Sequence, residues 1–308
     1  MRLLAYLRPV RATVIIPTFG EARFARWAVE SVRRQTVENM EICVSCDGSP
    51  PAMVSLFKDM AAEDSRIRVF SFPKSERAGE PYRDLIVRKE TRGRNIYYCA
   101  HDDLWFPDHV EVLEELLRHK CFGHSLHACV GPEAVESRGT AFPTGFMYAD
   151  LEEPRFRETM LNDAARKNLF GLTFGAHTRK AYRRLKEGWT TTPDGIWTDL
   201  YMWRKFLEKF PEACGTCKKV TALCFPLYAE RSWSEQERKN GRTCYFTRNG
   251  WPEQQREDEL AFYFQKMQEP GFLNRVNDLA RRSLPELRLA PQVAASTASR
   301  GRCHEAGP

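Results

Sequence analysis

Residues 12–48, "ATVIIPTFGEARFARWAVESVRRQTVENMEICVSCDG", decide the fold class of this chain. The opening "ATVIIP" (12–17) is a short β-branched run ended by Pro17, the composition of a buried strand. Residues 21–35 then carry Phe24, Ala28 and Val32 at helical spacing, beside Trp27 and Ser31, and predict an amphipathic helix. "MEICVSCDG" (40–48) predicts a second strand, broken by the turn pair Asp47-Gly48. A strand, a helix and a strand in immediate succession are the unit of a parallel sheet.

The alternation continues outward from that unit. Residues 51–64 read as a helix, "RIRVFSF" (66–72) as a third strand, residues 81–93 as a helix with Gly93 at its end, and "NIYYCA" (95–100) as a fourth strand. The next helix opens at Pro107, where a missing N–H costs nothing, and puts residues 110, 113, 116 and 117 on one face. The expected fold is therefore α/β, a mixed, mainly parallel sheet with helices on both faces. Ligands of such sheets bind outside the carboxyl ends of the strands. Three groups should converge there: Thr18 to Glu21, Asp47 to Ser49, and His101 to Asp103.

Beyond residue 120 the pattern loosens. Strands are expected at 125–131, 144–149 and 220–228, and helices at 156–170 and 195–210. Residues 169–185 read as a strand running into a helix, and 252–283 as mostly helical. From 285 to 308 the chain gains Ala, Ser, Pro and Gly, loses its period, and is expected to be a flexible tail.

Bulk composition removes several function classes. Of 308 residues, 42% are hydrophobic and 29% charged, an ordinary globular balance with a net charge of +6. No run approaches the roughly 20 apolar residues that span a bilayer. Arg8 and Arg11 interrupt the apolar start, and no small-residue cleavage site follows, so a secretory signal is not expected. This predicts a cytoplasmic protein with at most peripheral membrane contact. Acids and bases alternate in "RKETRGR" and "EQERKNGR", unlike the one-faced charge of a nucleic-acid binder, so no nucleic-acid partner is expected.

The ten cysteines are expected to be reduced, with Cys43, Cys99 and Cys129 packed in strands as small hydrophobes. "CGTC" (214–217), with Cys224 and Cys244 downstream, could be a zinc site but lacks the paired spacing of one; strand and loop thiols are the expected reading. There is neither a GxGxxG turn nor a Walker lysine loop, so dinucleotide and P-loop readings fail.

Four motifs in register carry a resemblance: "VIIPTFGEARFARWAVESVRRQT", "EICVSCDGS", "RDLIVRKETRGRN" and "YYCAHDDLWFPDHV". In order and distance they resemble the family-2 nucleotide-sugar glycosyltransferases of the GT-A fold, well over about 110 residues and loosely beyond. The resemblance implies a Rossmann-like nucleotide-sugar half (11–122), an acceptor half bearing the catalytic base (123–230), a C-terminal loop with helices (231–284) and the tail. It also implies roles for residues. Pro17, Thr18 and Glu21 would line the nucleoside pocket, Asp47 would contact the uracil of a UDP-linked donor, and Arg83 would lie near base and phosphates. Asp102 would meet the donor ribose, and Asp102 and Asp103 would hold Mn²⁺ or Mg²⁺, hard ions that prefer carboxylate oxygen. Asp199 would be the general base, shielded from water by Trp197, Leu200 and Trp203, with Asp194 as the alternative.

Arg231, Trp233 or Arg242 could close over the site from a loop. The implied reaction is sugar transfer with inversion from a nucleotide-diphosphate sugar to a carbohydrate, lipid-linked or other hydroxyl acceptor. The sequence departs from the family pattern at Gly20, Cys46, Ala100 and Thr198, and His101 precedes the paired aspartates as a ligand, a hydrogen bonder or a plain loop residue. Those departures motivate one alternative, a nucleotide-sugar binder without turnover. A nucleotidyltransferase is the other, although its glycine- and arginine-rich loop is missing.

Overall fold

A computed structural model describes residues 9–20, 23–130, 145–225 and 253–289. The nucleus is the predicted unit: β1 (Ala12–Thr18), α1 (Ala25–Arg33) and β2 (Met40–Asp47). Val14, Ile15 and Ile16 are all fully buried, as expected of a parallel strand covered on both faces. Helix α1 lays Ala25, Ala28, Val29 and Val32 against the sheet, the i, i+3, i+4, i+7 stripe of an amphipathic helix. Next come α2 (Pro51–Glu63), β3 (Ile67–Phe72), α3 (Glu80–Leu85), β4 (Asn95–Tyr98), β5 (Leu104–Trp105) and α4 (His109–Leu116). The second half adds β6 (Phe122–Cys129), β7 (Gly145–Met147), α5 (Pro154–Leu161), β8 (Gly175–Thr178), α6 (Arg179–Arg184) and α7 (Thr198–Lys209). It closes with β9 (Cys214–Cys224), α8 (Glu253–Lys266) and α9 (Phe272–Leu289).

These strands form one sheet in the order β3-β2-β1-β4-β8-β6-β9-β5, with β7 on β6. The first four run parallel, β6 and β9 are parallel to each other, and β8 is antiparallel to both its neighbours. The sheet is therefore mixed and mostly parallel, as expected. No helix among the described residues is long and apolar enough to cross a membrane.

The second half is welded to the first by an aromatic core. Phe122 stacks on Phe206 at 4.8 Å, Trp203 packs on Phe122 at 5.1 Å, and Tyr98 at the end of β4 meets Trp189 and Trp203. Gly175 makes room for this core, since a Cβ there would lie 2.6 Å from the Trp203 ring.

Glu41 braces the amino ends of the parallel strands. Its buried carboxylate accepts hydrogen bonds from Thr13 Oγ1 (2.6 Å), Arg92 Nε (2.8 Å) and the Arg92 and Gly93 amides (2.5 and 3.3 Å). Burial works against its charge, but the Thr13 and Arg92 hydrogen bonds prevail and hold its pKa below the ordinary value. The unfolded chain therefore binds this proton more readily, and the stabilisation, present above the unfolded pKa, is lost as pH falls through the folded one. Urea unfolding from pH 7 to pH 3 should show this loss, and Glu41→Gln should be less stable at pH 7 with a flatter acid limb. An unchanged acid limb would show that other carboxylates set it.

Several boundaries differ from expectation for identifiable reasons. The helix expected at 156–170 ends at Leu161, because Asn162 Oδ1 accepts from the amides of Ala164 and Ala165 (2.9 and 3.1 Å) and turns the chain. The 81–93 helix is one α segment followed by a π turn, Ile86–Glu90. Strand β9 begins at Cys214 rather than 220 and absorbs the "CGTC" segment. Residues three apart on a strand face opposite sides, so Cys214 and Cys217 do not aim at one ion; Cys244 lies outside the described residues. Helix α9 runs through Pro285 to Leu289, its last turn tied to α5 by Arg155 Nη2 to the Arg288 carbonyl (3.0 Å) and by Arg288 to Glu153 (3.1 Å). The expected tail thus includes helical residues up to 289, and residues 290–308 lie outside the described ones.

Candidate active site

The carboxyl ends of β1 and β2, the turn after β4, helix α3 and the start of α7 meet on one side of the sheet. Thr18, the last residue of β1, is buried with its hydroxyl 3.4 Å from that of Ser49. Pro17 before it is half-buried, while Glu21 lies outside the described residues.

Asp47 ends β2 and is buried. Its Oδ1 accepts from the Ser75 amide (2.5 Å), and its Oδ2 accepts from Lys74 Nζ (2.7 Å) and the Ser75 hydroxyl (2.9 Å). The loop after β3 is therefore folded over the carboxylate. Gly48 (φ +70°) lets the strand turn beneath it, where a Cβ would come within 2.6 Å of Lys74. Lys74 also stands 4.9 Å from the centre of the Phe19 ring. Any base edge that reached Asp47 would meet this lysine as well, which the sequence reading did not anticipate.

Arg83 on α3 is only 2% exposed. Its Nη1 donates to the Ala78 carbonyl (2.8 Å), and its guanidinium lies 4.3 Å from the centre of the Trp189 ring. Among the described residues its Nε and Nη2 have no hydrogen-bond partner. Burial lowers its pKa, opposed by the charges of Glu80, Asp199 and Asp47. Glu80, one turn earlier on α3, is fully buried; despite burial, the Arg83 charge and backbone N–H groups keep its pKa below the ordinary value. A buried guanidinium with two unfilled donors is a ready seat for an anion.

The turn after β4 separates its two aspartates. Asp103 is buried: its Oδ2 accepts from the Thr173 hydroxyl and its Oδ1 from the Phe225 amide (3.1 Å). Burial, then the Asp102 charge, pushes its pKa up to about 8 against those hydrogen bonds. Thr173 also accepts from the Ala100 amide (3.0 Å), and its carbonyl accepts from Trp105 Nε1 (3.0 Å). Asp103 therefore braces the turn through a hydrogen bond to each of its oxygens. Asp102 is half-buried beside it. His101 is buried and stacks on Phe24 at 5.6 Å, a packing role.

Asp199 lies in the first turn of α7, where the helix dipole favours its negative charge. The Leu200 amide donates to its Oδ1 (2.9 Å), and Asn168 also bonds its side chain. Burial nevertheless raises its pKa, with those hydrogen bonds and the Arg83 charge opposing. A carboxylate lifted toward neutrality is a stronger base than a solvated one. Asp194, the alternative, is 75% exposed and paired with Arg77 (2.8 Å). Leu200 and Trp203 are buried as expected, but Trp197 precedes the helix and is 65% exposed, so it does not shield Asp199.

No group of three or more His, Cys, Asp or Glu side chains that could hold a metal occurs among the described residues. Asp102 and Asp103 adjoin in the turn, and a carboxylate together with diphosphate oxygens and water is a common donor set for Mg²⁺-type ions. Arg231, Trp233 and Arg242 lie outside the described residues.

Comparison with known proteins decides the family. Residues 13–185, more than half of the chain and including Thr18, Asp47, Lys74, Arg83, Asp102, Asp103 and Thr173 but not Trp189 or Asp199, match Glycosyl transferase family 2. The chain belongs to that family. This family-2 domain is 28% identical over 149 residues to an uncharacterized glycosyltransferase of Rickettsia felis, covering 47% of this chain and 24% of that protein. It is 25% identical over 152 residues to the chondroitin synthase of Pasteurella multocida, covering 48% of this chain and 15% of the synthase. The chain thus spans a quarter or less of these curated relatives. Residues 1–349 of TarS from S. aureus, crystallised with UDP-GlcNAc, share the fold at a TM-score of 0.52 and 12% identity, over 90% of this chain and 78% of that one. The family-2 match agrees with the motif resemblance and with the GT-A-like sheet.

Lys74, Glu80, Thr173 and Trp189 were not read from the sequence as site residues. Only Glu80 had a local signal, its i, i+3 spacing to Arg83.

Proposed function

We propose that this family-2 domain transfers a sugar from a nucleotide-diphosphate sugar, UDP-linked, to an acceptor hydroxyl with inversion of configuration. The observation that carries this reading is the meeting of a buried, under-bonded arginine, Arg83, with a carboxylate raised by burial, Asp199, at the carboxyl ends of the strands. Asp47 and Lys74 face the nucleobase, Arg83 receives the donor's anionic part, and Asp102 holds Mn²⁺ or Mg²⁺. The metal, when bound, offsets the charge of the leaving diphosphate. Asp199 takes the acceptor proton as the hydroxyl oxygen bonds to the anomeric carbon and the bond to the diphosphate oxygen breaks. Attack on the face opposite the leaving group inverts the centre. Leu200 and Trp203 keep the inner side of Asp199 dry.

The uridine assignment is supported by the motif resemblance and by the UDP-GlcNAc bound to TarS. A thermal-shift series with UDP-, GDP-, CDP- and dTDP-sugars, with and without Mn²⁺, tests it, because a ligand of the native state raises Tm. UDP-sugars should give the largest shift, and Mn²⁺ should enlarge it. Asp102→Asn should abolish the Mn²⁺-dependent part alone. Release of pyrophosphate from a nucleoside triphosphate, or no shift with any of the four sugars, would overturn the reading.

A further inference from the structure

The final residues of β6 and β9, Cys129 and Cys224, are register partners on adjacent parallel strands. The Val130 amide donates to the Cys224 carbonyl at 2.8 Å, which holds the two strand ends side by side. Neighbouring strands lie about 4.7–4.9 Å apart, inside the roughly 4.4–6.8 Å Cα separation that a disulfide spans. The two thiols interact electrostatically with each other, and His127 acts on Cys129 as well. Both cysteines are partly exposed.

We propose that Cys129 and Cys224 form a dithiol modification site that hydroperoxides oxidise to a disulfide. The two thiols differ in the way the chemistry needs. The interaction with Cys224, and after it His127, holds the Cys129 thiol well below the ordinary range against the effect of burial, while Cys224 is pushed up. Cys129 is the attacking thiolate. Its sulfur bonds to one peroxide oxygen, the O–O bond breaks, and the other oxygen leaves as hydroxide or alcohol. The Cys224 sulfur then attacks the resulting sulfenic acid. The S–S bond forms, the S–O bond breaks, and the oxygen leaves as water with the Cys224 proton. Two electrons pass from the thiol pair to the peroxide.

Among the described residues, Cys43, Cys46, Cys99 and Cys214 are buried, and burial pushes each of them up. The dithiol also lies one residue from the Phe225 amide that holds Asp103, so oxidation would cross-link the strand ends that support the turn bearing Asp102.

The test is mass spectrometry of the native protein treated with hydrogen peroxide, alkylated without reduction and digested. The expected product is the Cys129 peptide joined to the Cys224 peptide, two hydrogens lighter than the sum, and restored by dithiothreitol. Cys224→Ser should leave Cys129 as a sulfenic acid that a dimedone probe traps, and Cys129→Ser should leave Cys224 unoxidised. Linkage of either residue to a different cysteine, or peroxide consumption with both thiols still free, overturns the proposal. The readout needs no sugar donor, so it is independent of the proposed transferase activity.

Discussion

Asp199→Asn should lower kcat by about 10²–10⁴, the usual contribution of a positioned general base, while the thermal shift caused by a UDP-sugar stays unchanged. Asparagine keeps the size of the side chain and can still accept from the Leu200 amide, but it cannot take a proton. The pH profile gives a second signature. The base must be ionised to act, so the rate rises with pH through the Asp199 pKa. Burial raises that pKa, which places the limb above the range of a solvated aspartate. The limb should vanish in the asparagine variant. An equal fall in donor-induced shift and kcat would instead assign Asp199 to binding, and an unaltered kcat would move the base elsewhere.

Arg83→Met should damage stability and donor binding together. The charge of Arg83 is the main one supporting the fully buried Glu80. Stranding one member of a buried charged pair costs about 3–5 kcal/mol. Urea unfolding should register that loss, and the folded fraction should show no shift with a UDP-sugar. Arg83→Met with Glu80→Gln removes both charges and should recover much of the stability without restoring the shift. If it restored both, Arg83 would be a purely structural residue. Stability equal to that of the parent in the single variant would mean that Glu80 has another support.

The first half of the fold was legible because its physics is local. Buried parallel strands such as Val14–Ile16 are apolar throughout, and α1 and α2 carry a clean helical period, so alternation alone located them. The second half hides its signals. Strand β9 opens on "CGTCKK", whose polar residues conceal a strand, and α5 stops at Asn162 through a side-chain turn that no hydrophobic period marks. The site divides in the same way. Asp47, Asp102 and Asp199 stand at strand ends or a helix start and could be found by position. The burial that makes Asp103 a strut comes from Thr173 and Phe225, which are 70 and 122 residues away. Lys74 and Trp189 likewise acquire their places only when separate loops close over the sheet.

The short turn Leu172–Phe174 gives the domain a mechanical property. Thr173 donates to Asp103, accepts from Ala100 and receives Trp105 at its carbonyl, while a Cβ on the neighbouring Gly171 would lie 3.8 Å from Asp199 Oδ2. Residues 171–174 thus hold the turn that bears Asp102 and pass beside the carboxylate of α7. The turn that bears Asp102 and the start of α7 therefore share this segment. Under the proposed transfer, selection for a new acceptor that displaced it would drag donor affinity with it, so the specificities of the two substrates should drift together.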